Sequence, residues 1–482
     1  MLFNSTEFLV FLAFALGGSF GVLRHASWPT RKAFLVLASW AFYMSWFPPF
    51  GALLLGATLL DYTLGRRIEV TTVLWRRRLL LLVSVASNLG VLGFFKYGHF
   101  LASNAATLLG TPGDPPLLDL ILPIGISFYT FESLSYVIDV YRGEPACRSP
   151  LDFALFLSFF PHLVAGPIVR PRAFLPQLGR APTITGAQVE RALARIAQGF
   201  IKKMILADGL GRYVDAVWLV PDAYPSLNVA LAIYAYAFQI YFDFSGYTDI
   251  ALGIAQLWGF ELPENFARPY TANDPRQFWQ RWHISLSTWL RDYLYVSLGG
   301  NRRGPMRTRV NLFLTMVLGG LWHGAAWNFV LWGAFHGAWL VGHRAWAARR
   351  PVSRWPAWMR RLGTFHLVCL GWVLFRAPSL SAAYRLLSTL GPGWTPSAEI
   401  GPEIVATLHL VSPEPWVWSP DAAHALAWVA VGVALHVAPL AAGARTRFTQ
   451  LPPTLQGACY AVAVLALILE SPAGARFIYF QF

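Results

Sequence analysis

The sequence predicts an all-α, polytopic membrane protein, and three observations carry that prediction. Hydrophobic residues fill 56% of the 482 positions and charged residues only 13%, against roughly 25% charged in an average soluble domain. Apolar stretches with at most a couple of charges recur at about 6–22, 33–60, 79–95, 116–138, 151–169, 224–242, 250–260, 311–342, 362–375, 422–441 and 455–471. The formal net charge is +14, and the excess Lys and Arg cluster between those stretches. A bilayer core takes about 20 apolar residues per helix, which gives about ten to twelve transmembrane helices plus re-entrant and interfacial pieces. They form one membrane domain over 1–482, with the unusual polar content concentrated at about 120–345.

The N-terminal run "MLFNSTEFLVFLAFALGGSFGVL" lacks a basic first region and a clear small-residue cleavage site. It is expected to be a retained first helix and not a signal peptide. The basic clusters at 24–32, 75–78, 301–309 and 343–361 are expected in the cytoplasm under the positive-inside rule. The same charges can attract an anionic cytosolic ligand; between membrane spans they do not indicate nucleic acid. Cys147, Cys369 and Cys459 lie far apart without a CxxC pair, so neither a disulfide framework nor a zinc site is expected. The Pro- and Gly-bearing stretch 378–420 is expected to be an extramembrane loop.

Polar residues inside apolar sequence are the functional suspects, because each is costly there unless partnered. Glu132 lies in "LPIGISFYTFESLSYVIDVYRG" (122–143) and His162 in "FFPHLVAGPIVRPRAF" (159–174), a run too short to cross and return and broken by Pro and Gly. Asp243 and Asp249 flank Ser245-Gly246 in "FDFSGYTDIALG". These carboxylates either serve chemistry or pair with Arg and cap a helix near Thr248. His162 and His336 are each consistent with a satisfied structural histidine.

In "NDPRQFWQRWHISLSTWLRDYLYVSLGGNRRG" (273–304), Asp274 suits an N-cap, Pro275 the first helical position and Gln277 a capping-box partner. The periodicity predicts a helix to about Val296 that stops at Gly299-Gly300. Phe278, Trp282, Leu286, Trp289 and Tyr293 would share one face, and Arg276, Gln280, His283, Ser287 and Arg291 the other. Such a helix either anchors at the interface or lines a polar funnel.

The run from Asn311 to His343, "NLFLTMVLGGLWHGAAWNFVLWGAFHGAWLVGH", holds no Lys, Arg, Asp or Glu. As one helix it would be roughly 50 Å long, well beyond a 30 Å core. Both ends adjoin basic clusters, so the chain is expected to enter, break at Gly319-Gly320 and Gly324, and return. His323 then sits at the break. No Walker loop, HExxH, GxSxG or dinucleotide fingerprint occurs, and the histidines are too dispersed to suggest a metal site.

With these residues in view, the chain resembles the membrane-bound O-acyltransferase (MBOAT) family. The likeness is greatest to its bacterial alginate and peptidoglycan O-acetylation branch and weaker to the teichoic acid D-alanylation protein. It rests on "LPIGISFYTFESLSYVIDVYRG", "SFFPHLVAGPIVRP", "FDFSGYTDIALG", "ENFARPY", "FWQRWHISLSTWLRDYLYVSLGGNRRG" and "NLFLTMVLGGLWHGAAWNFVLWGAFHG", in the family's order over about residues 1–345. The resemblance implies a ring of helices around a tunnel, His323 as catalytic histidine, and His283 at the second family motif position.

The expected chemistry is transfer of an acyl group, acetyl before others, from a cytoplasmic thioester donor to an extracytoplasmic hydroxyl, with His323 as general base. The donor would be acetyl-CoA or an acyl-phosphopantetheine carrier, with no permanently bound cofactor. The acceptor would be a polysaccharide, in exopolysaccharide or alginate biosynthesis, or a serine on a periplasmic SGNH-type partner. His283, with Gln280 or Ser287, would orient the donor; Trp322 and Asn328 would line the cavity. Arg276, Arg281, Arg302 and Arg303 would hold donor phosphates. The expected location is the bacterial inner membrane. A transporter or flippase with these residues along a permeation path, or a non-catalytic scaffold, are the competing readings.

Overall fold

The computed structural model describes residues 1–111, 121–349, 355–391, 420–437 and 478. The expected span at 455–471 and most of the expected loop at 378–420 lie outside these. Every regular element among the described residues is helical. The chain gathers into two compact units that alternate along the sequence. One comprises Met1–Ala197, Tyr247–Glu264 and Ser285–Ser297, the other Gln198–Gly246, Asn265–Ile284 and Leu298–Phe482.

In the first unit, one helix shows burial opposite to that expected in a soluble protein. On the Leu74–Leu92 helix, Leu82 is 61% exposed while Ser84 is 0% exposed. An apolar outer face with polar residues inward is the pattern lipid selects, because hydrocarbon solvates leucine and cannot satisfy a hydroxyl. The inward groups converge on Asp61 of the Phe50–Val70 helix. Its carboxylate accepts from Ser84 Oγ (2.5 Å), Asn88 Nδ2 (2.7 Å) and Ser133 Oγ. Ser133 lies on the Ile126–Arg142 helix, so the cluster joins three helices. The first helix, Thr6–Leu16, is capped by Ser5 and packs Phe8 and Phe11 against Phe42 and Phe160. The expected break at 159–174 is present. One turn, Phe160–Leu163, leads into irregular backbone that is buried as far as Val169. Its amides find side chains, Ile168 N–H on Ser285 Oγ (3.0 Å) and Val169 N–H on Glu132 Oε1 (2.9 Å). That satisfaction is what makes non-helical backbone tolerable at depth.

In the second unit the run 311–343 is a helical hairpin, as expected. The Gly304–His323 helix stops, Gly324 adopts an extended conformation, and the chain resumes as Trp327–Arg349. The break falls at Gly324 alone; Gly319 and Gly320 stay helical. Their service is packing. A Cβ on Gly320 would lie 2.3 Å from Phe329 O, and one on Gly333 2.4 Å from Met316 O, so the two arms touch backbone to backbone. The Ala357–Arg376 helix packs on this hairpin.

Among the described residues, two helices are both long and apolar enough to cross a bilayer, 74–109 and 226–257. Others reach 17–23 residues, including Phe50–Val70, which carries Asp61 within its apolar run, and Gly304–His323, which carries Arg307 and Arg309 near its start.

Candidate active site

His323 is the last residue of its helix and is 8% exposed. Three rings wall its imidazole at centroid distances of 5.0–5.1 Å, each nearly edge-on: Trp322, Trp332 and Phe375. Gly324 makes this enclosure possible, because a Cβ there would lie 2.1 Å from the Phe329 ring. Phe329 in turn packs edge-on against Phe375 at 5.2 Å. Phe375 comes from the last third of the chain, where the sequence shows only hydrophobicity and carries no signal for it.

His283 is reached differently, and here the expected helix from Pro275 to Val296 is corrected. Asp274 caps as expected, accepting from Gln277 N–H at 2.8 Å, but Gln277 Oε1 accepts from Asn273. The helix ends at Trp279, and a second begins at Ile284. The cause is long-range backbone pairing. Ala267 N–H donates to Arg281 O and Ile284 N–H donates to Asn265 O, both at 3.0 Å, which diverts Ile284 from the helical ladder. His283 is left in the left-handed region at φ 42°, a costly state for a non-glycine residue. The polar stripe is therefore broken. Arg276, Gln280 and Arg291 are exposed, Ser287 is half-buried, and His283 is buried. The His283 ring meets Phe244 at 4.7 Å and Trp322 at 6.2 Å. The Trp322 indole thus contacts both His283 and His323.

The remaining expected site residues are scattered. Asn328 Nδ2 donates to Ala377 O (2.8 Å) and Leu374 O (3.4 Å), closing the end of the Ala357–Arg376 helix, so its amide N–H groups are engaged away from His323. Arg281 donates to Thr271 Oγ1 at 2.7 Å and lines a cavity with Arg268 and Arg361. Arg276, Arg302 and Arg303 are exposed and do not line it.

The buried acids have partners. Asp243 accepts from Lys203 (2.7 Å), Asp249 pairs with Arg195 (3.1 Å), and Glu132 Oε1 lies 3.0 Å from His162 Nδ1. Pairing is one of the two readings open for the aspartates, although Asp243 takes a lysine and neither caps a helix. His336 is fully buried among Phe278, Trp279 and Trp332. Among the described residues no group of three His, Cys, Asp or Glu is placed to hold a metal ion.

The geometry separates the roles of two motif residues. Asn tolerates the left-handed region, so His283→Asn keeps the backbone while deleting the imidazole. It should leave membrane abundance near normal and cut activity at least tenfold. Trp289 stacks on Phe131 at 3.7 Å and donates to its carbonyl at 2.9 Å. Trp289→Ala should instead cost about 3–5 kcal/mol and deplete the folded protein. Immunoblots of membranes beside product assays check both; the opposite pattern would show that His283 serves folding alone.

The membrane-bound O-acyltransferase family model matches residues 73–380. The chain is 43% identical over 397 residues to the probable alginate O-acetylase AlgI of Pseudomonas putida, covering 81% of this chain and 80% of that one. It is 35% identical over 418 residues to the peptidoglycan O-acetyltransferase of Helicobacter pylori, covering 80% and 79%. It is 30% identical over 280 residues to the teichoic acid D-alanyltransferase of Bacillus subtilis, covering 55% and 71%.

Proposed function

The chain belongs to the membrane-bound O-acyltransferase family and is an O-acyltransferase, and from that premise we propose that it moves an acetyl group from a cytoplasmic thioester to an extracytoplasmic hydroxyl at the bacterial inner membrane. The donor is acetyl-CoA or an acyl-phosphopantetheine carrier. The acceptor is a polysaccharide hydroxyl, or a serine of a periplasmic SGNH-type partner that passes the acetyl on. The likeness to an alginate O-acetylase and a peptidoglycan O-acetyltransferase favours acetyl as the group and polysaccharide as its destination.

The observation that carries the chemistry is His323 at a helix end, enclosed by aromatic rings. As the hydroxyl oxygen bonds to the thioester carbonyl carbon, His323 takes its proton. The C–S bond then breaks and the proton passes from His323 to the departing thiolate, which leaves the imidazole as it began. The carbonyl end of a helix carries partial negative charge that stabilises the positive imidazolium formed midway. Aromatic walls keep water from the thioester, which would otherwise hydrolyse. His283, across the Trp322 indole, would orient the donor or polarise its carbonyl. Asn328 holds the helix that carries Phe375, and so acts on the site as a positioning residue.

The test is full-length protein in proteoliposomes given an acetyl-labelled thioester and a polysaccharide acceptor. Ester-linked label that depends on His323 is expected. Movement of polymer without ester formation would favour a transporter, failure of the wild-type chain to do either would favour a scaffold, and ester formation that survives His323→Ala would remove His323 from the chemistry. The orientation is tested separately. Cysteines placed at 24–32, 76–78 and 302–309 should resist an impermeant thiol reagent in intact cells. Ready labelling at 302–309 from outside would reverse the proposed direction of transfer.

A further inference from the structure

The tip of the helical hairpin carries a large aromatic residue that the acyl-transfer mechanism leaves unused. Between Arg309 and Arg344 the hairpin holds no Lys, Arg, Asp or Glu. The arginines at its two ends keep to one membrane surface, where their charges stay hydrated. At 1.5 Å per residue, the first arm rises about 21 Å from Arg309 to His323, and the second descends about 26 Å from Trp327 to Arg344. A helix tilt of up to about 40° shortens the first rise to about 16 Å. Half of a hydrocarbon core is roughly 15 Å. The tip therefore lies beyond the middle of the membrane, on the side away from the arginines.

Its surroundings follow from its backbone. Gly324, Ala325 and Ala326 are not helical, and both alanines are half-buried. Non-helical backbone at this depth is tolerated when protein covers it or when water reaches it. Protein covers these alanines only in part, so the open side of the tip meets water. Trp327 follows at once and is 55% exposed, whereas Asn328 and Phe329 beside it are buried. Asn328 spends its amide on Ala377 O and Leu374 O. The indole is thus presented on the wet side of the turn, four positions after His323. A large ring held against water gains when an apolar surface covers its face.

We propose, resting on the acyl-transfer reading, that Trp327 is the platform on which a saccharide ring of the acceptor lies while its hydroxyl is delivered to His323. A sugar ring has an apolar C–H face that stacks on an indole and a rim of hydroxyls that stays hydrated. The turn 324–327 carries no charge and exposes one large ring, which fits a single flat ring. A protein segment bearing a serine would call for a longer strip of pockets or hydrogen-bonding groups.

The test has one arm that reads binding and one that reads turnover, both with the full chain. For binding, Ala326→Cys in spheroplasts meets an impermeant maleimide. Labelling above that of the parent chain is expected, and alginate oligosaccharides or soluble peptidoglycan fragments should slow it at least threefold. Adding Trp327→Ala should abolish that protection. For turnover in proteoliposomes, Trp327→Ala should raise KM for the saccharide about tenfold and leave KM for the thioester within twofold. Trp327→Phe should fall between it and wild type. A lipid anchor would instead change membrane abundance and neither KM. Absence of labelling, absence of protection by both probes, or an unchanged saccharide KM in folded Trp327→Ala overturns the proposal. So does a rise in KM confined to a serine-bearing partner protein. A wild-type chain that binds saccharide through Trp327 without forming ester would sink the acyl-transfer reading and leave the platform standing.

Discussion

His323→Ala should reduce polymer O-acetylation to background while the protein remains in the membrane at its normal level. A positioned general base contributes about 10²–10⁴ in rate, or roughly 3–5 kcal/mol of transition-state stabilisation. Alanine also empties the space within the Trp322, Trp332 and Phe375 rings, so abundance must be measured alongside activity. His323→Gln supplies the control, because it fills much of that space and keeps a donor and an acceptor but takes up no proton near neutral pH. Both variants should be inactive. Ester-linked acetate released from purified polymer by mild alkali is the readout, and normal acetylation with glutamine would mean that the imidazole is structural.

Gly333→Leu should nearly abolish folded protein, and Gly333→Ala should lower it substantially. A Cβ at this position meets Met316 O at 2.4 Å and Val317 Cα at 2.9 Å, both backbone atoms that move only if the hairpin opens. Overpacking costs about 1–3 kcal/mol in a core that can relax, and more where two main chains must separate. Gly342, on the same Trp327–Arg349 helix, has nothing within 4 Å of its would-be Cβ. Gly342→Ala should be neutral or stabilising by up to about 1 kcal/mol through helix propensity. Fluorescence-detected size exclusion of tagged variants separates the two glycines, and equal profiles for Gly333→Leu and Gly342→Ala would refute the packing argument.

The hairpin was legible because its evidence is local: an uncharged run too long for one crossing, basic ends, and a glycine beside a histidine. The assignment of the break to all three glycines was too broad, since helical glycines at a backbone contact look the same in sequence as glycines at a turn. The Pro275–Val296 helix was misread for a different reason. Its periodicity is real, but Asn265 and Ala267 take its backbone hydrogen bonds, and no pattern within the helix announces a competitor from outside it. The same blindness hid Phe375, whose role comes from what the fold sets beside it. The pairing of Asp249 with an arginine was open in advance; the lysine on Asp243 was not foreseen.

The four-residue cluster around Asp61 bears on how this protein can change over generations. Ser84, Asn88 and Ser133 each answer one acceptor site on the same carboxylate. Losing any one strands part of a buried charge, and losing Asp61 strands three donors at once. Replacing all four with well-packed apolar residues would leave nothing unsatisfied. Single steps in either direction are therefore worse than either endpoint, the signature of sign epistasis. These positions should covary as a block among descendants of this sequence, and surveys that mutate one residue at a time will overstate how much each is worth alone.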